Sequence, residues 1–381
     1  MKVLLVIDHF GSGGAQRQMV ELACGLGRRG HAVEMFVYFP HLDFFRGRLD
    51  QQHITVHEHP KGATGPAGVL AKLATVMRRG RFDVVLSFLS TANIYAELAR
   101  VAALGTRLVV SERTSYHDDK SAPGALLRRL LHLLADRVVA NSETQAAWLR
   151  GRAWLRGKVA CIYNGVDLQA FRPHETLPPS ARSLRLLGVG RIGPEKNLLG
   201  LIAALTRFEE KFGYLPEVAW AGPRDESPAG RRYGEQLDAM LARHPAVQRH
   251  WRWLGLQRDV PALLRECHAL VHPSFYEGAP NAICEALAAG RPVLASNVCD
   301  HPRLVAEGMR GFLFDPGSPE SIVATIARLS ALEADAWRAF GHNARRYAEA
   351  ELGIDRMVGR YEELLLSLLG SAPDVGSAPQ D

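Results

Sequence analysis

The stretch from residue 269 to 296 constrains the fold of this chain more than any other. An apolar segment at 269–271 leads into a polar loop, and Pro280 opens a run of residues with helical spacing. Gly290 can end that helix, and a second apolar segment follows at 293–295. The pattern predicts a strand, a helix and a strand, which places the loop at the carboxyl edge of a parallel sheet, where ligands of α/β folds bind.

One glutamate precedes this predicted helix and another lies inside it. Glu277 is in the loop, and Glu285 is inside a helix made mainly of Ala, Ile and Leu, where a carboxylate is rarely buried without a partner. Free N–H groups at a helix start attract phosphate, while carboxylates accept hydrogen bonds from hydroxyl groups. The combination suits a ligand with phosphates and hydroxyls, such as a nucleotide-sugar. The alternative is a surface Glu and a helix Glu paired with a nearby Arg.

The residues around the two glutamates resemble a family signature. The run Y-E-G-A-P-N-A-I-C-E-A-L-A-A-G-R-P-V, from Tyr276 to Val293, is similar to the E-x7-E signature of the retaining GT-B glycosyltransferases of family 4. The resemblance implies an α/β fold of two Rossmann-like parallel-sheet domains that face each other across a cleft. It also implies transfer of a sugar from a nucleotide-sugar donor with retention of anomeric configuration.

Two basic residues follow the predicted first strand of the second domain. That strand, at 184–189, ends at Gly190, and Arg191 and Lys196 follow before the next helix. A guanidinium fork and an ammonium group can hold a diphosphate from two sides. The spacing resembles the G-R-x-x-x-x-K motif of the family, whose Arg and Lys hold the leaving diphosphate. Two surface cations are the alternative.

The resemblance implies a role for each matching residue. Glu277 would face the sugar and its developing positive charge, and Glu285 would bind the ribose hydroxyls. Backbone groups of the loop and of the segment near the nucleobase would complete the donor site, at Gly278, Ala279, Pro280, Asn281, Leu254 and Leu256. No metal and no cofactor is expected, because the nucleotide-sugar is a co-substrate and no Asp-x-Asp follows a predicted strand.

A glycine-rich turn follows the first predicted strand. Gly13 and Gly14 precede a run with helical spacing that starts near Gln16. A dinucleotide fingerprint would need glycine at position 16, so NAD binding is not expected. In the family a G-G-A-E loop approaches the donor diphosphate and the acceptor, and here Gln16 replaces the Glu. A tight turn without a ligand is the alternative.

The loop after the predicted strand at 107–112 is polar. Family members often place a His or a charged group there to meet the acceptor, so Arg113 and His117 are the candidates. Either would orient the acceptor, while the leaving phosphate takes the acceptor proton. Ordinary polarity of a surface loop is the alternative.

The alternation of strands and helices predicts two domains. Residues 1–175 would form an acceptor-binding domain, and residues 183–354 a nucleotide-sugar-binding domain. In GT-B enzymes a terminal helix crosses back to the first domain, so the amphipathic helix at 355–369 is expected to do so. The tail at 370–381 is rich in Ser, Ala, Pro and Gly, and we expect it to be disordered.

Composition limits the partners and the location of the protein. Five cysteines without C-x-x-C spacing argue for a reducing compartment, and no apolar run is long enough to span a bilayer. The formal charge of +6 is modest, and the basic residues are dispersed, so nucleic acid is not expected. The apolar helix at 125–135 carries Arg128 and Arg129; packing in the fold is favoured, and contact with an anionic membrane is left open. We therefore expect a cytoplasmic protein. Whether it also binds peripherally to the inner face of the membrane is left open.

Together these features predict a metal-independent retaining glycosyltransferase. It would move a sugar from a UDP- or GDP-linked donor to a hydroxyl of a glycan or lipid-linked acceptor, in synthesis of envelope polysaccharide, lipopolysaccharide or glycolipid. Two alternatives remain. One is a GT-B nucleotide-sugar epimerase or hydrolase, and the other is a non-catalytic subunit that binds a sugar nucleotide.

Overall fold

The computed structural model describes residues 1–113, 124–174 and 181–370. The chain divides into two compact units. The first contains residues 1–165 together with the C-terminal residues from Ile354, and the second is Val166–Gly353. Each unit has a parallel sheet covered by helices, so the predicted α/β class with two Rossmann-like sheets is confirmed.

The first unit contains seven parallel strands among its described residues. They are Lys2–Val6 (β1), Ala32–Val37 (β2), Thr55–Glu58 (β3), Val84–Phe88 (β4), Arg107–Glu112 (β5), Arg137–Ala140 (β6) and Val159–Cys161 (β7). Their order across the sheet is β3-β2-β1-β4-β5-β6-β7. Since the order reverses at β1, the carboxyl ends of β1 and β4 form the switch point at which such sheets bind ligands.

Helices cover both faces of this sheet. They are Gly14–Arg28 (α1), Arg46–Gln51 (α2), Lys61–Gly80 (α3), Ser90–Arg100 (α4), Ala125–Leu131 (α5), Glu143–Arg150 (α6) and, at the C-terminus, Ile354–Leu368, which is α15 in chain order. Val3 and Leu5 of β1 pack with α1 and α15, whereas Leu4 and Val6 pack with α3 and α4. Successive side chains of a strand point to opposite faces of the sheet, so the apolar strand β1 contributes to both cores.

The C-terminal helix α15 completes the first of these cores. Its buried side chains Val358 and Tyr361 lie in the same cluster as Met19 of α1. Gly25 makes the close approach possible, because a Cβ at that position would collide with Val358.

The second unit contains six parallel strands among its described residues. They are Arg185–Val189 (β8), Glu217–Ala221 (β9), Trp251–Gly255 (β10), Ala269–His272 (β11), Val293–Ser296 (β12) and Gly311–Phe314 (β13). Their order is β10-β9-β8-β11-β12-β13. The loops after β8 and β11 thus leave the sheet side by side.

The helices of the second unit alternate with its strands. They are Leu198–Phe212 (α7), Pro228–Arg243 (α8), Pro245–Arg249 (α9), Val260–Glu266 (α10), Asn281–Ala288 (α11), His301–Val305 (α12), Pro319–Ser330 (α13) and Ala334–Glu351 (α14). Short 3-10 turns precede β8, at Ala181–Ser183, and α7, at Pro194–Lys196.

The division between the units falls earlier than the segment between 175 and 183 that the sequence indicated. The amide of Val166 donates to the carbonyl of Leu352, and Arg345 donates to the carbonyl of Phe171. These long-range contacts attach the chain after Gly165 to the second unit, and no local pattern reveals them. Residues 175–180 and the tail at 371–381 lie outside the described residues.

The apolar helix predicted over 125–135 is shorter in the structure. It is α-helical over Ala125–Leu131, and a 3-10 turn follows at His132–Leu134. Within the part of the chain that the structure describes, no helix combines the length and the apolar character needed to cross a bilayer.

Candidate active site

The predicted strand–helix–strand unit is present, as β11, α11 and β12. Pro280 precedes α11 with an extended backbone, and Gly290 follows it with a φ of 66°, a left-handed conformation that favours glycine. The loop between β11 and α11 contains Glu277, together with Gly278 and Ala279, which are partly buried. The local sequence therefore places this loop at the carboxyl edge of β11, as expected.

Glu277 is the centre of a polar cluster at that edge. Its Oε1 forms an ion pair with Nζ of Lys196 and accepts hydrogen bonds from Nε2 of His272 (3.0 Å) and Oγ of Ser274 (2.7 Å). Burial opposes ionisation of Glu277, but the charge of Lys196 and the hydrogen bond from His272 outweigh it and hold the pKa well below its ordinary value. Glu277 is therefore a carboxylate at neutral pH.

Lys196 reaches Glu277 because two neighbouring strands end beside each other. It is the last residue of the 3-10 turn that follows β8, and the amide of Phe275 donates to the carbonyl of Glu195 (2.8 Å), which ties this turn to the loop after β11. A Cβ at Gly190 would lie 3.2 Å from Cε of Lys196, so glycine leaves room for the lysine stem.

Arg191 belongs to the same edge but faces other partners. Its side chain is 51% exposed and forms ion pairs with Asp225 and with Glu195, the latter at 3.0 Å. The two predicted cations therefore have different partners. Lys196 contacts Glu277, whereas Arg191 contacts Asp225, which follows β9, and Glu195, which precedes Lys196.

Two buried histidines, His272 and His301, pack beside the polar cluster. His272 is 1% exposed, and its ring centroid lies 5.3 Å from that of His301 in an edge-to-face arrangement. Nδ1 of His301 donates to the carbonyl of Ser296 (2.8 Å). Burial lowers the pKa of both imidazoles, that of His301 to about 3, so both are neutral. With Nε2 of His272 facing a carboxylate, its proton is assigned to that nitrogen.

The sequence did not single out His272 and Ser274. His272 is the last residue of β11, and Ser274 follows two residues later. Polar residues at the end of an apolar strand could have indicated both as candidates. What the pattern could not show is that both side chains turn toward Glu277.

The remaining predicted donor residues occupy separate places in the second unit. Glu285 is 3% exposed within α11, and Asn281 is its first residue. Leu254 ends the apolar part of β10 and Leu256 follows the strand with its side chain exposed. In the sheet, β9 lies between β10 and β8, so these leucines are at the same edge of the sheet as the Glu277 cluster but separated from it by a strand.

In the first unit, the glycine turn opens α1 as predicted. Gly13 is the residue before the helix, Gly14 is its first residue, and a Cβ at Gly13 would collide with the side chain of Gln16. The Gln16 amide donates to Oδ1 of Asp8 (2.8 Å), so the residue that replaces Glu is held at the end of β1.

Arg113 has structural contacts that the sequence did not suggest. The guanidinium is buried over the ring of Phe88 (3.7 Å) and donates to Oδ1 of Asn164 (2.6 Å) and to the hydroxyl of Tyr361 (3.3 Å). Burial lowers its pKa. An acceptor contact by Arg113 stays a prediction, and His117 lies outside the described residues.

A buried acid–imidazole cluster lies beside β5. His132 contacts Glu97 through Nδ1 (2.5 Å) and Glu112 through Nε2 (3.3 Å). Burial opposes protonation of His132, but the hydrogen bonds and charges of Glu112 and Glu97 outweigh it and raise the pKa to about 10. The imidazole is therefore protonated at neutral pH.

Comparison with solved structures identifies the fold. A structure of Anabaena Alr3699/HepE with UDP and glucose superimposes with a TM-score of 0.82 at 20% identity and covers 96% of this chain and 100% of that chain. Sucrose-phosphate synthase from Thermosynechococcus elongatus gives 0.79 at 17% identity, covering 98% and 100%. Two Rossmann-like units with these neighbours define a GT-B glycosyltransferase fold.

Sequence comparison identifies the family. The model of "Glycosyltransferase Family 4" matches residues 12–170, and that of "Glycosyl transferases group 1" matches residues 183–331. The chain belongs to this group 1 / family 4 of glycosyltransferases, and the predicted family is confirmed.

Individual relatives have low sequence identity to this chain. An Escherichia coli UDP-Gal:alpha-D-GlcNAc-diphosphoundecaprenol alpha-1,3-galactosyltransferase is 24% identical over 68% of this chain and 70% of its own length. A D-inositol 3-phosphate glycosyltransferase from Streptomyces scabiei is 28% identical over 90% of this chain and 86% of its own length.

Proposed function

We propose that this glycosyltransferase moves a sugar from a UDP- or GDP-linked donor to a hydroxyl of a glycan or lipid-linked acceptor, with retention of anomeric configuration. The product would be part of an envelope polysaccharide, such as lipopolysaccharide, or of a glycolipid. The E. coli relative is named for a UDP-galactose donor and a diphosphoundecaprenol acceptor, and the Anabaena neighbour holds UDP and glucose. Both support a nucleotide-sugar donor for this chain.

The contact between Lys196 and Glu277 carries the proposal. A cation for the leaving diphosphate and a carboxylate for the sugar lie within one ion pair, at the carboxyl edge of a parallel sheet. In the reaction the bond from the anomeric carbon to the β-phosphate oxygen breaks, and a bond to the acceptor oxygen forms on the same face. The acceptor proton passes to the leaving phosphate oxygen.

Each side chain has a defined task in this scheme. Lys196 stabilises the negative charge that develops on the leaving diphosphate, and the half-exposed Arg191, which precedes it in the same loop after β8, supplies a second cation. Glu277 faces the positive charge that develops on the sugar ring. Glu285 binds the ribose hydroxyls, and amides near Gly278 and Asn281 donate to phosphate oxygens.

The scheme uses no metal ion and no cofactor. Two cations and the helix start supply the positive potential that a divalent ion would otherwise give. Among the described residues, no group of three or more His, Cys, Asp or Glu side chains is placed to hold a metal ion.

A donor panel tests the proposal directly. UDP- and GDP-linked sugars are screened by thermal shift, because a ligand that binds only the folded state raises the melting temperature. The donor found is then incubated with a membrane glycolipid extract and with no acceptor. Transfer to the extract supports the proposal, whereas release of free sugar or an epimerised donor without any acceptor identifies a hydrolase or an epimerase. Donor binding without turnover in either reaction identifies a non-catalytic subunit.

A further inference from the structure

An exposed apolar surface lies on the first unit around α5, outside the candidate site. We define the leucine patch as eight side chains at the end of α4 and in the segment just after it, on α5 and on the following 3-10 turn: Leu98, Val101, Leu104, Leu126, Leu127, Leu130, Leu133 and Leu134. Leu104 is 79% exposed and Leu127 is 63% exposed. Because α4 contacts both α5 and the 3-10 turn, the segments that carry these side chains are neighbours in space.

The leucine patch is unusual for the surface of a globular unit. Among the described residues, 15 large apolar side chains are exposed, and eight of them belong to this patch. Single exposed leucines are common, but a contiguous group of this kind marks a surface that another body covers.

The charge around the leucine patch is strongly positive. Residues 124–158 contain seven Lys or Arg and two Asp or Glu, in a chain whose formal charge is +6 in total. The two acids are already paired, Asp136 with Arg100 and Glu143 with Arg150. This segment therefore has a clear excess of cations, whereas Lys and Arg nearly balance Asp and Glu in the rest of the chain.

Arg100 and Lys158 donate hydrogen bonds to backbone carbonyls of the 3-10 turn and of the residue after it. Arg100 donates to the carbonyl of Leu134 (2.6 Å), and Lys158 donates to the carbonyls of Leu133 (3.0 Å) and Ala135 (2.8 Å). Arg129 lies over the ring of Trp148, 5.0 Å from its centroid. Basic groups thus lie next to the leucine patch.

We propose that the leucine patch docks this protein on the surface of an anionic lipid bilayer. The leucines enter the boundary between head groups and acyl chains, and the surrounding cations lie at the level of the anionic head groups. A second copy of this chain is a poor occupant, because it would bring the same excess of positive charge to the interface. The inference goes beyond the proposed activity and does not depend on the donor.

Vesicle sedimentation tests the docking surface. The full-length protein is mixed with vesicles of phosphatidylcholine alone or of equal parts phosphatidylcholine and phosphatidylglycerol. We expect it to sediment with the anionic vesicles and to remain in solution with the neutral ones, and added salt should release it. The double variant Leu126→Gln/Leu127→Gln should bind at least about tenfold more weakly, since it removes two apolar side chains from the contact.

Met309→Gln is the matched control, as it changes an exposed apolar side chain of the second unit. It should sediment like the parent, and both variants should keep the melting temperature of the parent because the altered side chains are exposed. Three results would overturn the proposal: no binding of the parent to anionic vesicles, equal binding by the double variant, or a parent dimer in solution that the double variant abolishes. None of these measurements uses a nucleotide-sugar, so failure here leaves the proposed activity standing.

Discussion

Nζ of Lys196 and Oε1 of Glu277 form an ion pair although 81 residues separate them in the sequence. The pair lies at the carboxyl edges of β8 and β11, which are neighbours in the sheet. A donor diphosphate that enters this edge would meet the ammonium group, and the sugar would meet the carboxylate.

Lys196→Ala should reduce kcat/KM for sugar transfer by about 100- to 1,000-fold, the usual effect of removing one donor to a developing anion. Steady-state kinetics with the preferred donor measure it. Lys211→Ala is the control, because Lys211 is an exposed lysine of the same unit. Turnover by Lys196→Ala within a few-fold of the parent would show that Lys196 does not stabilise the leaving diphosphate.

Glu285→Gln should weaken binding of the free nucleotide, UDP or GDP, by about ten- to 100-fold, because hydrogen bonds to a charged acceptor contribute about 1.5–3 kcal/mol. Isothermal titration calorimetry measures the dissociation constant. Glu266→Gln, which changes an exposed acid of the second unit, should bind like the parent. Unchanged nucleotide affinity in Glu285→Gln would remove the ribose role from this residue.

His272→Leu should lower kcat/KM about tenfold and move the acid limb of its pH profile to higher pH, since a lost hydrogen bond of this kind costs about 1 kcal/mol or more. The physical reason is that Nε2 of His272 helps to keep the pKa of Glu277 low. His272→Gln places an N–H donor near the same point and should recover part of the loss. A lower melting temperature with an unmoved pH profile in both variants would argue that His272 serves folding alone.

The stability of the protein should fall as the pH rises from neutral toward 10. The pKa of His132 is raised from 6.5 to about 10 in the folded state, so folding favours its protonated form. That contribution is fully present below the pKa of the unfolded state and is lost as the pH rises through the folded value. Chemical denaturation at pH 7, 8.5 and 10, values chosen to span roughly this window, measures it.

His132→Gln should flatten this pH dependence, and His342→Gln, which changes an exposed histidine, should not. The variant should also be less stable at neutral pH, because Glu97 and Glu112 lose the charge that lies between them. An equal loss of stability with pH in His132→Gln and in the parent would contradict the assignment of the raised pKa to His132.

Much of the fold could be predicted because its signals are local. Apolar segments between turn signals predicted the strands, and Pro280 and Gly290 lie just outside the two ends of α11. The helix at 125–135 was predicted too long, and packing in the fold was favoured for it. The helical pattern of its apolar residues does not show whether they are buried or exposed to water. In the structure, five of its leucines are exposed.

The candidate site was predicted in part, for a related reason. The motifs selected Glu277, Lys196 and Arg191 by residue type and spacing, but spacing cannot tell which charges meet. Lys196 contacts Glu277 while Arg191 turns to Asp225, and Arg113, predicted to meet an acceptor, is held by Tyr361 from the far end of the chain.

The sequence by itself determined the kinds of element, their order and the loops in which charged residues stand, because these depend on contacts between residues close in the chain. Only the tertiary structure decided that β8 and β11 lie side by side, which brings Lys196 to Glu277, and that the end of the chain packs against α1. The reason is physical: the side chains that meet there are separated by tens to hundreds of residues, and their distance depends on strand order and helix packing, which no local pattern records.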